Sequence, residues 1–138
     1  KAPPGGALSP TANNWNILGG PGCTTSGSGS TLTINAVTMT DQGASTTIAS
    51  DNGYFVTGNF AMTLPAAPTQ GEIVRVVADT SSTVTITGNT GQTIRVGNSI
   101  TAAAGSITNT AQGDVITLCY RAATTNWISI GGVGNWNV

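Results

Sequence analysis

The sequence predicts an all-β fold, an antiparallel β-sandwich of the jelly-roll kind, and three observations support this. From Trp15 onward the chain is a series of short β-prone runs separated by Gly, Asn and Ser. Polar and branched apolar residues alternate along several of these runs, which turns one face of each strand toward a core. No segment has the periodicity of a helix. With 138 residues, the chain can bury one hydrophobic core and is short for two ordinary domains.

The first residues of the chain are predicted to form an arm. Three prolines and two glycines stand among residues 1–10, and they exclude both a helix and a central strand. We therefore expect residues 1–14 to be a Pro/Gly-rich N-terminal arm or a stalk junction. Residues 15–138 are expected to form a single β-sandwich domain.

The clearest strand pair is a hairpin in the middle of the chain. Residues 83–87 and 92–96 both alternate polar with branched apolar side chains, and Gly88, Asn89 and Gly91 between them favour a tight turn. We expect both arms to turn their apolar side chains toward the core. These side chains are Val84, Ile86, Ile94 and Val96.

A second pair is predicted near the C-terminus, where residues 115–121 and 127–130 are joined by residues 122–126. Residues 98–110 mix Ala, Gly, Ser and Thr around two isoleucines, and we expect a mobile loop or a weak edge strand there. Loops of this kind often carry the contacts of binding domains. Further strands are expected at residues 32–37, 54–57, 61–64 and 72–78.

The charge composition limits the partners and the location of the protein. Only 7% of the residues are charged, against about 25% in ordinary soluble domains, and Thr, Ser, Asn and Gly fill the polar positions. Such a surface is typical of extracellular fibres, cell surfaces and virions. The net charge of −1 and the four scattered cationic side chains argue against nucleic acid as a partner. No run approaches the ~20 apolar residues that membrane insertion needs.

The chain offers little for catalysis. It has no histidine, which excludes the usual Ser-His-Asp and Cys-His arrangements. Paired carboxylates could hydrolyse glycosides, but turn and strand-end roles explain each acidic residue. These residues are Asp41, Asp51, Glu72, Asp79 and Asp114. We expect no enzymatic activity, no catalytic residue and no cofactor.

Two cysteines, Cys23 and Cys119, stand far apart in the sequence. Without a histidine or a second ligand pair they cannot form a zinc site, and no metal is expected. They form either one disulfide, which would stabilise the fold by ~4 kcal/mol in the chain-entropy view, or two buried thiols.

Four residues are candidates for contact with a ligand. Trp136 stands at the end of the chain, where we expect it at a subunit interface or exposed for binding. Arg95 and Arg121 point away from the apolar neighbours on their strands, so they either pair with acidic groups of a ligand or solvate the sheet. Asn98 begins the small-residue segment. Trp15 and Trp127, by contrast, lie in apolar strands and are expected in the core.

A series of segments from Trp15 to the C-terminus resembles a known β-domain. The segments are Trp-Asn-Ile, Asn-Gly-Tyr, Met-Thr-Leu-Pro, Gly-Glu-Ile-Val-Arg-Val-Val, Gly-Gln-Thr-Ile-Arg-Val-Gly, Gly-Asp-Val-Ile-Thr-Leu-Cys-Tyr and Asn-Trp-Ile-Ser-Ile-Gly-Gly-Val-Gly-Asn. Their order resembles the C-terminal head domain of phage tail fibres and of fibrous or collagen-like bacterial adhesins. No heptads or Gly-x-y repeats precede Trp15, so a trimerising stalk is absent or lies outside this chain.

The resemblance implies a homotrimeric fibre tip that contacts a receptor or glycan through apical loops or clefts between subunits. The expected function is thus a non-enzymatic attachment domain that recognises a cell-surface glycan or receptor near residues 98–110. The alternative is a structural subunit of an extracellular filament or virion, assembled through its extended N-terminal arm.

Overall fold

The computed structural model describes residues 23–28, 31–36 and 38–138, and the chain divides into two compact units, Lys1–Ala36 and Val37–Val138. In the first unit, β1 (Cys23–Ser28) and β2 (Thr31–Ala36) form an antiparallel pair. The predicted arm of residues 1–14, the predicted domain boundary and Trp15 lie outside the described residues.

The second unit is a sandwich of a seven-stranded and a five-stranded sheet, which confirms the predicted all-β fold. Its strands are β3 (Met39–Gln42), β4 (Thr46–Thr47), β5 (Asn52–Val56), β6 (Ala61–Thr63), β7 (Ile73–Ala78), β8 (Thr85–Thr87), β9 (Thr93–Val96), β10 (Ser99–Ile100), β11 (Ser106–Asn109), β12 (Val115–Arg121), β13 (Asn126–Val133) and β14 (Trp136–Asn137). The strand orders are β10-β9-β13-β12-β7-β5-β3 and β14-β11-β8-β6-β4. In the part of the chain described here, no helix is long and apolar enough to cross a membrane.

The sheets are mixed, which corrects the predicted antiparallel pairing. From β3 to β8 the chain alternates between the two sheets, and the strands pair in parallel as β3-β5-β7 and β4-β6-β8. A strand that crosses to the other sheet and returns runs in the same direction as its predecessor, so parallel pairing follows from the winding. The later strands β11 and β12 then pair antiparallel with β8 and β7.

The predicted central hairpin is also corrected. Strand β8 lies between β6 and β11 in the small sheet, whereas β9 lies between β13 and β10 in the large sheet. The turn at residues 88–91 therefore crosses from one sheet to the other. The predicted core positions are confirmed: Val84, Ile86 and Ile94 are fully buried and Val96 packs against the core. A period-2 pattern determines which face of a strand is buried, but it does not determine which other strand it pairs with.

The other predicted strands are present in the structure, with one exception. Strands β2, β5, β6 and β7 occur where they are predicted. The pair β12-β13 is antiparallel, as expected, and a short 3-10 turn at Ala122–Thr124 joins its strands. The exception is the segment 98–110, predicted as a mobile loop or weak edge strand. It contains β10, which is an edge strand, and β11, which lies inside the small sheet with Ile107 fully buried.

The core is organised around Trp127, which is fully buried as predicted. Its ring centroid lies 5.2 Å from that of Tyr120. The indole N–H donates to Gln92 Oε1 at 3.0 Å, and the Gln92 amide donates to the carbonyl of Pro65 at 2.7 Å. Gln92 therefore joins β9, β13 and the segment that follows β6. The buried apolar residues are Ile48, Tyr54, Val56, Met62, Leu64, Val74, Val76, Ala78, Val84, Ile86, Ile94, Ile107, Ile116, Leu118, Tyr120 and Trp127.

Candidate functional site

A cleft of about 280 Å³ lies at the side of the sandwich where the small sheet ends in β14. One wall comes from β9, β12 and β13 of the large sheet, and the other comes from the segment that leads into β14. Its lining includes apolar and neutral polar side chains and exposed peptide groups. The lining residues are Val96, Val115, Ile116, Ser129, Gly131, Gly132, Gly134, Asn135 and Trp136.

Trp136 is the aromatic wall of this cleft. It pairs with Asn109 of β11 at the edge of the small sheet, and its side chain packs partly buried against the core. Its indole Nε1 is shielded from solvent, and no acceptor for it exists in the described part of the chain. A buried donor without an acceptor costs about 1–3 kcal/mol. The cleft thus adjoins a donor that lacks a partner.

Glycines let the chain approach β12 closely on its way to the cleft. A Cβ at Gly132 would overlap the carbonyl oxygen of Val115, whereas a Cβ at Gly131 would meet nothing within 4 Å. Gly134 has a φ of +76°, a conformation that glycine adopts readily, and the Asp114 carboxylate occupies the position of its missing Cβ.

Asp114 stabilises the turn between β11 and β12, next to the cleft, through hydrogen bonds to its backbone. Only 4% of the residue is exposed, and its Oδ2 accepts hydrogen bonds from Thr110 N at 2.8 Å and Ala111 N at 3.0 Å. The Thr110 N–H is the largest influence that lowers the pKa of Asp114; burial opposes it, and the Ala111 N–H, the Thr110 hydroxyl and the Asn135 N–H add to it. The carboxylate therefore holds the segment entering β14. Its turn position is visible in the sequence, but this link to Asn135 is not.

The four residues predicted to contact a ligand do not form one site. Trp136 lines the cleft, whereas Arg95 and Arg121 are exposed and turn away from the core on the large sheet, as predicted for these two. Strand β13 separates their strands. Asn98 is exposed in the turn between β9 and β10. Sequence reasoning missed the other cleft residues, Val96 and Ser129 among them, because each resembles an ordinary strand or turn position.

Other acidic groups have local hydrogen-bonding roles. Burial raises the pKa of Glu72, but the hydroxyls of Ser50 and Thr69 and the Thr69 N–H lower it more, so the pKa lies below its ordinary value. Asp51 Oδ1 accepts a hydrogen bond from Ile73 N at 3.1 Å. Among residues 38–138 and the two described strands before them, no three His, Cys, Asp or Glu residues lie together as a metal site.

A second notable surface is the outer face of the large sheet, the side turned away from the core. Paired positions form two apolar rows across the strands, with a row of mostly small residues and Arg75 between them. The first apolar row is Phe55, Val77, Val115 and Val133, and the second is Ile73, Cys119 and Ile128. The middle row is Gly53, Arg75, Thr117 and Gly131.

Cys119 lies in the second apolar row and is partly exposed. The side chain of Cys23 lies outside the described side chains. The predicted choice between a disulfide and two thiols therefore stays a prediction.

The fold and the cleft define the protein as a small all-β sandwich with an uncharged cleft at one side. Comparison with protein-family models and with curated proteins finds no match to this chain.

Proposed function

We propose that the chain is a non-enzymatic attachment domain, and that it binds a neutral sugar residue of a cell-surface glycan in the cleft beside Trp136. The observation that carries this proposal is the aromatic wall that Trp136 gives to the cleft, with hydrogen-bonding groups of Ser129 and Asn135 in the same lining. The apolar face of a sugar ring can stack on the indole while its hydroxyls bond to those polar groups. Extracellular, cell-surface or virion location follows from this function, and the low charge of the chain supports it.

The lining of the cleft favours an uncharged ligand with one apolar face. Among the described residues, no charged side chain contributes to the wall, so an ionic ligand would lose hydration without gaining a counter-charge there. Trp136, Val96 and Ile116 offer apolar surface, and Ser129 and Asn135 offer hydrogen-bonding groups. Ligand sites combine apolar walls with a few placed polar groups in this way. At about 280 Å³ the cleft is slightly smaller than the usual range of about 300–1,000 Å³, and it therefore fits a single ring.

The chemistry of the neighbouring carboxylate supports binding without cleavage. Glycoside hydrolysis needs a pair of carboxyl groups on either side of the bond. Asp114 adjoins the cleft wall, but its carboxylate is hydrogen-bonded to Thr110 and Ala111. We expect a bound glycan to be recovered intact after long incubation, which chromatography of the glycan would check.

The test is a glycan array followed by calorimetric titration of the best glycan against matched variants. Trp136→Ala removes the aromatic wall of the cleft. Because truncation of an aromatic anchor costs about 2 kcal/mol or more, the Kd should rise roughly 30-fold or more. Asn98→Ala, in the exposed turn outside the cleft, should leave the Kd unchanged. Thermal unfolding of each variant shows whether the fold is retained.

Two results would contradict the proposal. The first is an array on which no glycan binds. The second is binding that survives Trp136→Ala unchanged and is lost in Asn98→Ala or Arg121→Ala, which would place the contact on the loops and the outer face.

A further inference from the structure

We infer that the outer face of the large sheet is the surface through which copies of this chain associate. The inference goes beyond sugar binding, because it concerns association between copies of the chain. The face meets the cleft at Val115 and Gly131, which belong to both surfaces.

The outer face carries more apolar side chains than are expected of a sheet in water. In a sandwich, the outward positions of the strands are ordinarily polar, since only the inward positions are buried. Here both apolar rows cross the sheet from strand to strand. Val133, at the end of the first row, is 68% exposed, and Ile100, paired with Arg95 on β10, is 46% exposed. The other members of the two rows are half-buried. Apolar surface that continues across several strands in this way marks an interaction site.

The charges on this face are separated by sign. Asp41 is exposed on the edge strand β3 and extends the first apolar row beyond Phe55. Arg95 is exposed on β9, next to the opposite edge strand, and pairs with Ile128 of the second row. Arg75 lies between these two residues, on the interior strand β7, and Arg121 is exposed at the end of β12. One side of the face is therefore acidic, and the rest is basic.

This pattern selects a second copy of the chain as the partner. When two such faces meet with opposite edges together, Asp41 of each copy approaches a basic region of the other, and the apolar rows cover each other. When like edges meet, carboxylate faces carboxylate. The face carries both an acidic group, Asp41, and a basic group, Arg95. A partner with charges of only one sign would pair with one of these groups and leave the other without a counter-charge. A contact of this type either closes into an oligomer or repeats as a filament.

The apolar part of the inference is tested with two valines that differ in position. Light scattering and sedimentation of the full chain should show an oligomer, and Val133→Glu should raise its dissociation constant about tenfold or more. Val138→Glu is the matched control, since Val138 is 47% exposed and follows β14 of the other sheet. Circular dichroism checks that both variants fold. A chain that is monomeric at all concentrations, or equal effects of the two variants, would overturn the inference.

The charge part is tested by exchange of the two signs. Asp41→Arg and Arg95→Asp should each weaken association, and the double variant should restore it, because the complementary pair is then re-formed in reverse. Asp79→Arg changes an exposed acid beyond the end of β7 by the same charge and should not weaken association. A double variant that associates no better than the single ones would overturn the proposed pairing. Glycan binding is measured on each variant separately, so a failed cleft and a failed interface are distinguishable.

Discussion

At the scale of single residues, buried amides and one carboxylate hold loops to the sandwich. Gln92, Asn109, Asp114 and Asn126 are the buried polar residues among those described. Asn109 Oδ1 accepts a hydrogen bond from Val84 N at 2.6 Å, and Asn126 Oδ1 accepts one from Thr93 Oγ1 at 2.7 Å. A buried polar group stabilises a fold only when it is paired, so these residues fix particular loop positions.

Gln92→Met should destabilise the fold by about 1–3 kcal/mol, because the buried indole N–H of Trp127 and the N–H of Asn89 would lose their acceptor. The volume of the side chain is nearly unchanged. Urea unfolding followed by tryptophan fluorescence measures the effect. Gln112→Met is the control, since Gln112 is exposed, and an equal loss there would refute the role given to Gln92.

Asp114→Asn should lower the free energy of unfolding at neutral pH by about 1.5–3 kcal/mol, the value for hydrogen bonds to a charged group. The pKa of Asp114 is lowered in the folded state. Its contribution is therefore complete above the unfolded pKa, about 3.9, and is lost as the pH falls through the lower folded value. The variant should accordingly lose less stability than the unaltered chain on acidification. Asp79→Asn should behave like the unaltered chain.

At the scale of elements, β13 combines a bulge with two glycines. Leu118 pairs with Ser129 and Thr117 pairs with Gly131, so Ile130 is an extra residue and is 58% exposed. Bulges bend a strand and redirect the residues after the bend. Here the strand leads, within a few residues, to the wall of the cleft.

Gly132→Ala should destabilise the fold by about 1–3 kcal/mol, because the new Cβ would overlap the Val115 carbonyl and force β12 and β13 apart. Gly131→Ala, one residue earlier, should be neutral or slightly stabilising, since nothing lies near its Cβ. Parallel thermal unfolding compares them. Similar melting temperatures for the two variants would contradict the close approach of Gly132 to β12.

Strands were predictable where alternation ran long enough. Residues of β8, β9 and β12 show it clearly, and these strands are where the sequence places them. Strands β4, β10 and β14 have two residues each, which is too short for a period. The partner of β8 could not be predicted for a different reason. Two successive strands alternate polar and apolar residues in the same way whether they pair as a hairpin or lie in different sheets. The cleft could not be predicted at all, since its walls come from distant parts of the chain.

At the scale of the whole molecule, few groups titrate near neutral pH. The chain has no histidine, so its stability should be nearly constant between pH 5 and 7. Below about pH 4 it should fall, because Asp114 and Glu72 both have lowered pKa values in the folded state. Chemical unfolding at a series of pH values checks this. A steep change between pH 5 and 7 would contradict it.

The winding from β3 to β8 makes the length of this sandwich adjustable in discrete steps. Each passage through both sheets adds one parallel strand to each of them, as β5 with β6 does between its neighbours. A duplicated passage would lengthen both sheets by the same increment and leave the strands from β9 onward, with the cleft, as they are. The number of strands in both sheets can therefore change while the part of the sandwich that carries the cleft stays the same.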